Sequence, residues 1–245
     1  LELFGQTIRL TGRDHMVVYW SILTGSFGST KSFLNVLAYM LPLIMTGLGA
    51  AVAFQSGVFN IGGEGQVLVG GLASVIVGLT VPLPAPWGWL LALLAGFAAG
   101  ALWALLPTLF AGRNLTSLSV ATIMMNSIAI YFCAFLSNGP WKTSQPNRVS
   151  GTDPLDNVYR FTQLIRGSNL TTAIFASAII AFLIWYVMSR TATGFEMKLT
   201  GHNPRFAKYL GLSVDKLVIG SMVVSGAICG LVGMMEAYGV RGNYQ

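Results

Sequence analysis

The sequence predicts an all-α, multispanning membrane helical bundle with a broken, glycine-rich helix and a short helix in a cytoplasmic loop, and three observations carry that prediction. Of its 245 residues 54% are hydrophobic and only 9% charged, with a mean hydropathy of +0.67. A soluble chain of this length carries roughly a quarter charged residues to solvate its surface, so lipid must be the solvent for most of this one. The second observation is a series of six apolar runs, each long enough to cross a hydrocarbon core about 30 Å thick. The third is Phe59-Asn60-Ile61-Gly62-Gly63-Glu64-Gly65-Gln66, a polar island with a carboxylate between two of those runs. A charge at mid-bilayer depth costs about 3 kcal/mol on insertion scales, and three glycines within four positions hold a regular helix poorly. Such a break is tolerated at membrane depth only where it faces protein or a cavity.

Taken in order, the spans are expected at about Phe33 to Phe54, Gln66 to Leu83, Trp87 to Ala111, Leu115 to Leu136, Thr171 to Ser189 and Leu217 to Met235. Gly96 with Gly100, and Gly226 with Gly230, have the four-residue spacing that lets helix backbones approach closely. Val81 to Pro86, with three prolines, and Gly112-Arg113-Asn114 are short turns, so the spans they join are antiparallel neighbours. Two connections are long, 137–170 and 190–216, and the one span between them puts them on opposite sides. Arg190, Lys198, Arg205, Lys208 and Lys216 place 190–216 in the cytoplasm. The 137–170 loop, although it holds Lys142, Arg148, Arg160 and Arg166, is then external, as are both chain ends. The organisation is a single transmembrane domain over 1–245, with the first four spans in 33–136. A start without methionine and two external ends are what an excerpt of a longer chain would show.

In the island Asn60, Glu64 and Gln66 can hydrogen-bond a polar solute, and the glycines expose backbone to the same space. Glu64 has a second reading, as a carboxylate favoured by the N-terminal dipole of the following half-helix. In the fourth span Thr116, Ser119, Thr122 and Asn126 recur at intervals of three and four, while Met124, Met125 and Ile128 point elsewhere. That polar stripe either lines a path, with Asn126 its best member, or bonds neighbouring helices. Thr200-Gly201-His202-Asn203-Pro204-Arg205-Phe206-Ala207-Lys208-Tyr209-Leu210-Gly211 predicts a two-turn helix, with Asn203 as cap, Pro204 in the first turn and Gly211 at the exit. Phe206, Tyr209 and Leu210 share a face that offers a docking knob to a partner or rests on the membrane interface.

Other chemistries are excluded by what the sequence lacks. The net charge of +6 comes from scattered residues, with no basic block that would bind nucleic acid. Cys133 and Cys229 lie in separate apolar runs without ligand spacing to each other or to His15 and His202, so they read as packing residues. No phosphate-binding loop, zinc pair or nucleophile elbow is present. Glu64 and Glu236 are the acids near the spans, and no nucleophile and base pair accompanies them. The chain is not expected to be a catalyst or to bind a cofactor, so any ATP hydrolysis that drives it belongs to another polypeptide. An ion-coupled secondary carrier of a small polar solute would have a similar broken helix.

With these blocks in place the sequence resembles the permease subunits of bacterial ABC importers, in their nucleoside and simple-sugar branch. The resemblance is carried by Gly47-Leu48-Gly49-Ala50 with Phe54 through Gln66; by Gly194-Phe195-Glu196 with Gly201-His202-Asn203-Pro204, Ala207, Tyr209 and Gly211; and by Ser225 through Gly233. It implies a multi-pass protein of the bacterial inner membrane, surrounded by lipid. A second permease subunit, two cytoplasmic ATPase subunits that bind the ATP, and an external solute-binding protein would be its partners. Gly201, Asn203, Pro204, Phe206, Ala207, Tyr209, Leu210 and Gly211 would then form the ATPase-coupling segment, and Phe59, Asn60, Glu64, Gln66 and Asn126 the substrate path for a nucleoside or related sugar-containing solute. One departure is visible: where the family usually has an Asn-Glu pair, Ser117 and Leu118 align.

Overall fold

The computed structural model describes residues 15–81, 83–112, 117–145, 150–156, 160–165 and 167–244. The turn residue Pro82, the connection Arg113 to Asn114, Thr116, Pro146, Arg148 and Arg166 lie outside the described residues. Helices α1 (His15–Phe27), α2 (Thr30–Gln55), α3 (Gly63–Thr80), α4 (Ala85–Gly112), α5 (Leu118–Asn138), α6 (Ala173–Arg190), α7 (Ala192–His202), α8 (Pro204–Tyr209) and α9 (Val214–Glu236) follow one another, and a π-helical turn, Ala237–Arg241, extends α9. Among the described residues there is no strand, and a single isolated bridge joins Gln163 to Thr171. Six helices are long and apolar enough to cross a membrane: α2 to α6, and α9 with its extension. Their ends fall within a few residues of the expected ones.

The boundaries have local causes. Ser29 caps α2 by accepting from Ser32 N, and Ser117 caps α5 by accepting from Val120 N. At the far end of α2, Ser56 N and Gly57 N turn back onto Ala53 O and Phe54 O, each at 3.0 Å. Gly57 takes φ +78, a left-handed backbone that glycine adopts without penalty.

Helix α9 is the axis of the bundle, buried along most of its length against α4, α3 and α2. The glycine pairs read from the sequence face each other there. A Cβ on Gly100 would overlap Gly226 O, one on Gly230 would overlap Gly96 O, and one on Gly233 would overlap Val67 O of α3. Without hydrophobic driving force between helices in lipid, such backbone contact is what holds them together. Met45, Val52, Met197, Ile228 and Val232 form one buried cluster. Leu72, Val75, Ala92, Cys133, Leu155, Met234 and Tyr238 form another. Cys133 and Cys229 are buried free thiols within this packing.

Three features depart from the sequence reading. Helix α1 was not expected; its 13 residues extend about 20 Å, too short for a span, so its apolar character does not register as one. The 190–216 connection holds two helices rather than one, because α7 is seated on α6: a Cβ on Gly194 would overlap Val187 O. The loop after α5 is pinned to the end of α9. Thr152 N donates to Tyr244 O at 3.0 Å, Leu155 N to Gly242 O at 2.8 Å and Phe161 N to Tyr238 O at 3.1 Å. Tyr238 in turn donates its hydroxyl to Ser74 O at 2.8 Å, and burial raises the pKa of the Tyr244 phenol.

Candidate functional site

The break between α2 and α3 sorts its polar groups into two sets. Asn60, 6% exposed, and Gln66, 1% exposed, pair reciprocally. Asn60 Nδ2 donates to Gln66 Oε1 at 3.0 Å, and Gln66 Nε2 donates to Asn60 Oδ1 at 3.1 Å. Asn60 Oδ1 also accepts from Gly62 N at 3.0 Å, and its Nδ2 also donates to Ser225 Oγ of α9 at 2.8 Å. Both donors and both acceptor lone pairs of that amide are thereby used. Asn126 bridges from α5: its Oδ1 accepts from Gly65 N at 2.9 Å and its Nδ2 donates to Ile61 O at 2.9 Å. It thus satisfies one of the orphan amides at the start of α3 and a carbonyl that the break leaves free. A Cβ on Gly65 would lie 3.0 Å from both Ala129 Cβ and Asn126 Oδ1, so the close α3–α5 approach favours glycine there.

The second set is open. Glu64 stands exposed in the first turn of α3, where the helix dipole favours its negative charge. Phe59 is exposed and packs its ring against Phe54 with centroids 4.9 Å apart. Beside Glu64 a cleft of about 510 Å³ opens between α2 and α3, lined by Leu43, Thr46, Gly47, Asn60, Ile61 and Glu64 itself. That volume lies within the range of small-molecule sites.

On α5 the polar stripe is narrower than its spacing suggests. Thr122 is buried and donates to Ser119 O at 2.8 Å. Met125 turns inward with Thr122 and Ala129, because positions three and four apart share a face, while Met124 and Ile128 are exposed. Ser117, at the place of the departure, is the cap of α5.

The α7–α8 region forms a separate constellation. Asn203 Oδ1 accepts from Phe206 N at 3.0 Å, Pro204 starts α8, and Gly211 takes φ +81 at the exit. Phe206 is 49% exposed and Tyr209 90%, and Leu210 is also exposed, so the aromatic knob points away from the bundle. Ala207 is 0% exposed: it seats α8 on the chain rather than standing on the docking face. Gly201 lies against the end of α2, where a Cβ would overlap Gln55 O and come within 2.9 Å of Gly57 N.

Two contributors went unread in the sequence. Ser225 was noted only as part of a block; as a hydroxyl in an apolar run it could have been paired with the island. The Gly201 contact with Gln55 and Gly57 carries no sequence signal, because it joins residues more than a hundred positions apart.

With the break, the cleft and the exposed loop helix in place, comparison with known proteins defines the class. Residues 32–244 match the family described as the branched-chain amino acid transport system / permease component, and the chain belongs to that family. It is a multi-pass protein of the inner membrane. It is 33% identical to the guanosine ABC transporter permease protein of Bacillus subtilis (strain 168), over 90% of this chain and 64% of that protein. It is 30% identical to the nucleoside ABC transporter permease protein of Lactococcus lactis subsp. cremoris (strain MG1363), over 99% of this chain and 69% of that one. A glucose ABC transporter permease protein of Haloferax volcanii is 29% identical over 94% of this chain and 62% of its own length. The chain therefore spans about two thirds of the length of these relatives. No solved structure matches it. Membership of this family does not favour an ion-coupled carrier.

Proposed function

We propose that the chain is the permease portion of an ATP-driven importer and forms the translocation path for a nucleoside or related sugar-containing solute. The observation that carries this reading is the cleft at the helix break, lined by the Glu64 carboxylate and by Asn60, next in the chain to the exposed Phe59 ring, while the amides of Asn60, Gln66 and Asn126 are taken up in bonds within the bundle. Phe59 offers a π face to a nucleobase, and Glu64 accepts hydrogen bonds from ribose hydroxyls. The names of the guanosine and nucleoside relatives support the solute class. A second permease subunit completes the path, an external solute-binding protein delivers the solute, and two cytoplasmic ATPase subunits bind and hydrolyse the ATP. Those ATPases engage α8 through Phe206, Tyr209 and Leu210, with Gly201, Asn203, Pro204, Ala207 and Gly211 shaping the segment.

The test is ATP-dependent uptake of labelled guanosine, uridine, ribose and glucose by the complete complex in proteoliposomes. Saturable nucleoside uptake is expected; uptake driven by an ion gradient without ATP would overturn the reading. The orientation is checked in intact cells lacking Cys133 and Cys229. A cysteine at Lys208 should be protected from an impermeant thiol reagent and one at Ser144 labelled, and the reverse pattern would invert the topology.

A further inference from the structure

Helix α7 is held at both ends by backbone contact without slack. At its start Gly194 lies on Val187 and Met188 of α6, and at its end Gly201 lies on Gln55 and Gly57, the residues that close α2 just before the polar island. Helix α8 follows after one extended residue, Asn203, with φ −149 and ψ 91. A displacement of α8 therefore reaches the break through a short, stiff strut.

The same junction holds two anomalies. Ser56 and Thr200, each next in sequence to one of the touching glycines, are 3% and 0% exposed. Their hydroxyl oxygens are buried and have no hydrogen-bond partner among the described residues. Buried hydroxyls are ordinarily bonded, and a helical threonine can bond the carbonyl one turn back. Two exceptions at one contact mark an arrangement that is not the only favourable one for these residues.

We propose that the contact of Gln55–Gly57 with Thr200–Gly201 is the joint through which α8 moves the broken helix, and that the Ser56 and Thr200 hydroxyls acquire partners in the other access state. The proposal rests on the reading of the chain as an ATP-driven permease and adds the residues that couple its two regions. The unbonded hydroxyls bias the joint toward leaving the described state, so removing them holds it there. Ser56 and Thr200 are positioning residues that do not line the cleft.

The experiment uses the complete complex. Spin labels at Phe54 and His202, both exposed beside the joint, should report different distances in the nucleotide-free and ATP-trapped complexes. Thr200→Val and Ser56→Ala should lower the solute moved per ATP by about fivefold or more, the population shift that one unpaired buried hydroxyl produces. ATPase activity and melting temperature should hold or rise, and Thr200→Ser should restore coupling. A purely structural role would lower the melting temperature and leave the ratio unchanged. An unchanged label distance, or coupling ratios within about twofold of wild type in both variants, overturns the joint. Absence of ATP-dependent uptake in the wild-type complex overturns the proposed function itself, and this inference with it.

Discussion

Between α2 and α3 the chain interrupts a helix and turns most of the freed polar groups inward onto Asn60, Gln66, Ser225 and Asn126. Between α7 and α9 it makes another interruption, closes it with a single side-chain cap from Asn203, and leaves Phe206, Tyr209 and Leu210 facing outward. The surroundings explain the difference. At membrane depth an unpaired amide finds no water and must be bonded by protein, whereas a loop helix at the membrane surface has water for its backbone and can spare its side chains for a partner. Polar residues in the first break are mainly the structure of the break, and apolar residues in the second are the ones without a structural duty.

The comparison is broken most severely by confusing the two faces of α8. Ala207→Glu places a charge where the native side chain is wholly buried and should cost about 3 kcal/mol or more, seen as loss of folded protein in membranes. Phe206→Asp should leave the folded amount and melting temperature unchanged while uncoupling transport from ATP hydrolysis. Equal behaviour of the two variants would show that α8 has no outward working face.

Within the first break, Asn60→Ala leaves Gly62 N, the Gln66 amide and the Ser225 hydroxyl short of partners inside the bundle. A loss of about 2–4 kcal/mol follows from those unsatisfied groups, read as a fall in melting temperature of the purified protein. Asn126→Leu removes two bonds at a half-buried site and should cost about 1–2 kcal/mol. A larger effect of Asn126→Leu on solute affinity than on stability would move Asn126 from the clamp to the path.

The smallest structural effect belongs to Glu64→Gln, whose exposed side chain is expected to contribute within about 0.5 kcal/mol to stability. Its effect should fall on function, as a shift of about 3- to 10-fold in the apparent KM for uptake. Unchanged kinetics would reduce the opening beside α3 to a helix start with a favourable charge.

The six spans and α8 were legible because each rests on a short-range rule: length of apolar run, cap, proline and exit glycine. The flat faces at Gly96 with Gly100 and at Gly226 with Gly230 were legible for the same reason, from spacing on each helix, although that the two faces meet each other was not. What escaped depends on contacts between distant segments. The sequence ATGFEMKLTGH mixes glycine, lysine and glutamate without a clear apolar stripe, and α7 owes its place to Gly194 and Gly201 lying against two other helices. Asn60 and Gln66 were visible as polar residues of the island, but no property of the island alone distinguishes a satisfied amide from one offered to a solute. Ser225 and Asn126, which decide that question, come from α9 and α5.

The clasp that the α5–α6 loop makes on the end of α9 has a bearing on biosynthesis. The Thr152 hydroxyl that receives Tyr244 N lies 92 positions ahead of it in the chain. At ribosomal rates of about 5–20 residues per second, the loop would be delivered across the membrane roughly 5–18 s before the segment that fastens it is even made. During that interval Leu155 has only the part of its cluster that α3, α4 and α5 supply, without Met234 and Tyr238, and the loop lacks the backbone partners at Tyr238, Gly242 and Tyr244. A protease or a chaperone on that side of the membrane therefore meets this loop before it is fastened. Trapped chains released shortly after α6 should be cut between residues 150 and 161, while those released after Tyr244 should resist.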